Sequence, residues 1–134
     1  MSTALYRAIT CGIIAMMAVV GCAGTDRPDV ATWLSSWEGI ISVVPDQADL
    51  GDPPDAELCE ATLASVRSGN EDLRPSPSVT VDDLVAEWVA VAKATFFDCP
   101  PKGEDIDSFS EAYEEMGRIE ESVETALSDH EERP

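Results

Sequence analysis

Histidine and lysine are nearly missing from this chain. Its one histidine, His130, stands four residues from the C-terminal Pro134. A Ser-His-Asp triad, a His-activated cysteine and a histidine metal site are therefore excluded from the body of the protein. Lysine occurs only at Lys93 and Lys102, and 8 Lys and Arg face 27 Asp and Glu, for a formal net charge of −19. So acidic a surface repels phosphate backbones, which excludes nucleic acid as a partner. It suits cationic partners, such as a basic protein face or a divalent cation, or it serves solubility alone. Nucleotide-binding glycine loops and the G-x-S-x-G nucleophile motif are absent. Paired carboxylates carry no signal of their own, because so many acids must place some pairs together. The sequence thus assigns no catalytic, cofactor-binding or metal-ligating residue, and an enzyme is not expected.

A long apolar run is also missing. The longest uncharged stretch near the N-terminus, Ala8 to Val20, spans 13 residues, whereas a spanning helix needs about 20. Preceded by Arg7, it has the form of an export signal's hydrophobic region. It ends in Val19-Val20-Gly21-Cys22, which resembles the lipobox of bacterial lipoprotein precursors: an aliphatic residue, a tolerated residue, Gly or Ala, then Cys. The resemblance covers about the first quarter of the chain. It implies a diacylglyceryl group on the Cys22 sulfur, cleavage before Cys22, and residence at the cell membrane on its extracytoplasmic face. The plainer alternative is a soluble secreted protein cut near Ala23. Removing 21 of the 134 residues leaves 113, enough for one small core. The removed segment carries Arg7 and no acid, so the mature part is one unit more negative. Residues 22–28 are then a tether, residues 29–128 a helical domain and residues 129–134 a charged flexible tail.

Of four cysteines, Cys11 leaves with the signal and Cys22 is taken by lipid under this reading. Cys59 and Cys99 remain, an even pair in an exported chain, and are expected to form a structural disulfide. A redox or metal-binding pair would call for C-x-x-C spacing or a neighbouring histidine, and neither is present.

Apolar spacing predicts a small all-α bundle of about four helices and no strand. Val30, Trp33, Leu34, Trp37, Ile40, Ile41 and Val44 share one helical face, which Pro45 ends. Asp52, followed by Pro53 and Pro54, is expected to cap a second helix running to about Ser68, with Leu58, Cys59, Thr62, Leu63 and Val66 inward. Gly69-Asn70 is expected to close it in a left-handed turn. Thr80 with Asp83 predicts a capping box for a third, central helix bearing Val81, Leu84, Val85, Trp88, Val89, Ala92, Phe96 and Cys99. Ser108 with Glu111 predicts another box for a fourth helix, which reaches about Ser128 and buries Phe109, Ala112, Tyr113, Met116, Ile119, Val123 and Leu127. Antiparallel packing of the second and third helices would bring Cys59 and Cys99 together.

These residues frame the functional alternatives. The first is a lipid-anchored, non-catalytic module that binds a protein or envelope component; the acidic face of the fourth helix (Glu111, Glu114, Glu115, Glu120, Glu121, Glu124) could meet a basic partner. The second is a small-ligand or cation-binding lipoprotein, with a pocket between helices near Trp33, Trp37 and Trp88. Its cation version would use Asp46, Asp49, Asp52 and Asp55, or Glu104, Asp105 and Asp107, although neither set follows EF-hand spacing. Core packing is the simpler role for the tryptophans, and a solvated surface the simpler role for the acids.

Overall fold

Four helices form because four apolar stripes of 3.6-residue period are each interrupted by proline- or glycine-bearing connectors. The computed structural model describes residues 26–133; Met1–Gly21, the lipobox and the lipidation candidate Cys22 lie outside the described residues. Helix α1 spans Val30–Ser42, α2 Ala56–Gly69, α3 Val79–Phe97 and α4 Asp105–Glu132, with 3-10 turns at Gln47–Leu50 and Asn70–Leu73. The described residues contain no strand.

The helices run up, down, up and down. Phe96 of α3 meets Tyr113 of α4 with ring centroids 6.0 Å apart, and Trp88 meets Glu120 at 3.0 Å. Moving back along α3 thus moves forward along α4, so the two are antiparallel, and theirs is the most extensive helix interface. Cys59, early in α2, is bridged to Cys99, just beyond α3, with Cα atoms 5.7 Å apart. The predicted disulfide and the predicted antiparallel pairing are both present.

Trp33, Trp37 and Ile40 are the fully buried residues of α1; Val30, Leu34, Ile41 and Val44 flank the core half-buried. Helix α3 buries Val81, Val85, Trp88, Val89, Ala92, Thr95 and Phe96, and is central as expected. Helix α4 buries Phe109, Met116, Ile119, Val123 and Leu127.

Several helix ends differ from expectation. Helix α2 is capped by Asp55, whose carboxylate accepts from Leu58 N at 2.9 Å, and not by Asp52. Leu50, 1% exposed, anchors the preceding 3-10 turn, and Asp55 N donates back to Leu50 O; this burial holds the two prolines in the turn. Gly69 is right-handed (φ −70°, ψ −23°), and the chain tightens into the Asn70–Leu73 turn. The reason is burial of Leu73, which is 0% exposed. Gly69 is needed for proximity, because a Cβ there would lie 3.1 Å from Ile40 Cγ1. Helix α3 is capped by Ser78, whose hydroxyl accepts from Val81 N, so Thr80 falls inside the helix. Helix α4 begins at Asp105, ahead of the Ser108 box, after a turn in which Gly103 takes φ 57°. It continues through His130 to Glu132, so most of the expected tail is helical.

Candidate functional site

The two ends of the bundle differ in chemistry. At one, Ser76 is wholly buried, and every polar group it offers is used. Its N–H donates to Asp82 Oδ1 at 2.8 Å, its hydroxyl donates to Ser78 O at 2.7 Å, and its carbonyl accepts from Arg27 Nη1 at 2.9 Å. Arg27 also pairs with Asp82 Oδ2 at 2.8 Å. Desolvation alone would raise the Asp82 pKa, but the hydrogen bonds from Ser76 and Arg27 outweigh it and lower the pKa. The expected tether of residues 22–28 is therefore fastened at Arg27, beside the N-terminus of α3. The next residues are fixed by Asp29, which caps α1 by accepting from Thr32 N and Thr32 Oγ1.

The opposite end gathers the C-terminal end of α3, the N-terminal end of α4, the disulfide and the proline-bearing turns. Tyr113 donates its hydroxyl to Pro45 O at 3.0 Å, and Gln47 Nε2 donates to Ser110 Oγ at 2.7 Å, which ties the exit of α1 to α4. Burial and the neighbouring Asp46 carboxylate push the Tyr113 phenol up to about 12, so it remains a hydrogen-bond donor at neutral pH. Two open clefts lie at this end. The larger, about 760 Å³, runs between Thr95–Lys102 and the first turns of α4. The other, about 600 Å³, is lined by Gly51–Pro54, Ile106 and neighbouring residues. Both are bounded by Pro101 and Phe109, so they adjoin. Phe97 is 70% and Ile106 53% exposed here, large apolar side chains left facing solvent. Single exposed apolar residues are ordinary, Val79 at the other end (63%) among them, but Phe97 and Ile106 each line one of two adjoining clefts, and an apolar group set in a cleft marks a binding surface more often.

Sequence reading did not single out Phe97 or Ile106. A faint signal existed: Phe97 follows Phe96 but falls off the α3 stripe, and Ile106, between two aspartates, extends the α4 stripe one turn before Phe109.

The other candidates are placed elsewhere. Trp33 and Trp37 stack at 5.7 Å, and Trp37 meets Trp88 edge-on at 5.3 Å. All three are at most 2% exposed. Trp33 Nε1 donates to Leu73 O, and Trp88 Nε1 donates to Glu120 Oε1. They are core; Trp33 borders an open hollow of about 430 Å³ at the Arg27 end, among Thr32, Asp72 and Arg74, which neither Trp37 nor Trp88 lines. Among the described residues, no three His, Cys, Asp or Glu come together in a way that could hold a metal ion. Asp55 is occupied as a cap, and Asp46, Asp49 and Asp52 are exposed. The acidic face of α4 is divided: Glu111, Glu114, Glu121 and Glu124 face solvent, while Glu120 turns half-buried toward Trp88. Arg118 pairs with Glu115 one turn before it. Desolvation and the neighbouring Glu124 raise the Glu120 pKa, with the Trp88 hydrogen bond opposing them. His130 is exposed in the last turn of α4. No helix among the described residues is long and apolar enough to cross a membrane. No family model, curated protein or solved structure is similar enough to this chain to be matched with it, so function has to be argued from these side chains.

Proposed function

We propose that this chain is a lipid-anchored, extracytoplasmic, non-catalytic interaction module of the bacterial cell envelope, which binds a protein or envelope component. The observation that carries the reading is the polarity of the bundle: Arg27 fastens the incoming chain at one end, and the adjoining clefts with Phe97 and Ile106 open at the other. Five residue steps separate Cys22 from Arg27, a reach of at most about 18 Å. Helix α3, 19 residues long, then sets the clefts about 28 Å farther out. A lipid on Cys22 would hold the fastened end at the bilayer and present the cleft-bearing end to the aqueous space. The Cys59–Cys99 disulfide supports an oxidising compartment.

Fractionation of cells producing the full chain tests the anchor. The native protein stays with membranes after high-salt washing and incorporates labelled palmitate, whereas Cys22→Ser takes up no label and keeps its export segment uncut. A native protein free of label, or label that persists in Cys22→Ser, would refute it.

A second reading has one observation in its favour. The larger cleft, about 760 Å³, falls within the size range of small-molecule sites. A small apolar ligand could enter it beside Phe97, and this ligand reading now rests on the cleft rather than on the tryptophans.

A further inference from the structure

We propose that the cleft-bearing end is a docking groove for a basic amphipathic segment of a partner protein, whose apolar side chains enter the clefts beside Phe97 and Ile106 while its Lys or Arg side chains meet the surrounding carboxylates. The inference rests on the interaction-module reading and adds the place and the partner's chemistry.

The apolar part is shared by the two clefts. Phe109, 6% exposed, and Pro101 line both clefts, while exposed Phe97 lines the larger and exposed Ile106 the smaller. Charge chooses the occupant. Asp98 and Asp105 line the larger cleft and Asp52 the smaller, all exposed, with exposed Glu104 and Asp107 beside them. Lys102 is the lone cation in either lining. A neutral or acidic partner covering this patch would strip water from carboxylates and give them no counter-charge. A second copy of this chain would bring the same acidic rim, and like charges set face to face disfavour that pairing. An anionic bilayer is opposed for the same reason. A cationic segment gains from both parts of the surface: apolar burial for affinity, and attraction that speeds encounter and weakens with salt.

The test uses the full lipidated chain in detergent micelles and two labelled helical peptides that place leucine on one face and either lysine or glutamate on the other. Fluorescence anisotropy should show the lysine peptide binding and the glutamate peptide failing to bind. Phe97→Ser with Ile106→Ser should weaken binding at least about tenfold, the scale of losing anchor side chains from an interface. Both residues are exposed, so thermal stability should hold. Asp98→Asn with Asp105→Asn should also weaken binding and flatten its salt dependence. Glu121→Gln with Glu124→Gln, on the acidic face of α4, should leave affinity unchanged. Equal binding by the Phe97/Ile106 variant would overturn the groove, as would dimerisation or vesicle binding that depends on those two residues. Loss of the groove together with Cys22-dependent palmitate labelling would remove this inference and leave the anchored module standing.

Discussion

Replacing Cys59 and Cys99 together by alanine removes the one covalent tie between α2 and the far end of α3. The cysteines stand 40 positions apart, and closing a loop of that size lowers the entropy of the unfolded chain by the equivalent of about 4 kcal/mol. Cys59 is also 1% exposed, so trimming its sulfur leaves a small void that adds about 1 kcal/mol. Against the roughly 5–15 kcal/mol that holds a small domain folded, this is a large share. It corresponds to a fall in Tm of about 15–30 °C for a domain of this size. Urea unfolding followed by tryptophan fluorescence is a suitable assay, since all three tryptophans are buried. The native protein in reducing buffer should approach the double variant. Hydrogen exchange should rise most around residues 51–56 and 98–106, where the bridge supports the cleft walls, and least around Ser76 and Asp82. A loss below about 1 kcal/mol, the range of ordinary surface changes, would refute the loop-closure argument. So would exchange that rises equally at both ends of the bundle.

Glu120 gives a prediction about pH. Its pKa is raised in the fold, with desolvation the largest cause, so its contribution is fully present below the unfolded value of 4.5 and is lost as pH rises through the folded value. Glu120→Gln keeps an oxygen to accept from Trp88 and removes the buried charge; it should raise Tm at pH 7 and lose that advantage below pH about 4.5. A variant no more stable than the parent at pH 7 would contradict this. The glycines give a contrasting pair. Gly39→Ala, on an open helical surface with nothing within 4 Å, should stabilise by up to about 1 kcal/mol. Gly69→Val, driven into Ile40, should destabilise by about 1–3 kcal/mol. Denaturant midpoints with equal signs for the two would sink the close-approach account.

Helical class, helix number, the stripe of each helix and the disulfide partners could all be read in the sequence, because each depends on spacing along the chain. Apolar residues three and four apart must share a face, and Cys59 and Cys99 are the two cysteines of the helical part. The export signal and the lipid on Cys22 also rest on local pattern and stand as proposals, outside the described residues. Helix ends were less legible. Asp52, Thr80 and Ser108 all carry suitable capping side chains, yet Asp55 and Ser78 serve, and α4 starts a turn early. Local propensity ranks several neighbours almost equally, and burial of Leu50, Leu73 and Ser76 from the connectors chooses among them. Gly69 has the composition of a left-handed stop, but the approach of Ile40 gives it a different task. The candidate site lay further still from view. Ile106 and Phe109 stand three apart on α4, but no spacing rule links them to Phe97 at the end of α3 or to Pro101 in the connector. They adjoin only because α3 and α4 pack antiparallel and the disulfide draws the start of α2 to the same end. Periodicity is a property of one segment, whereas a surface is made by the packing of several.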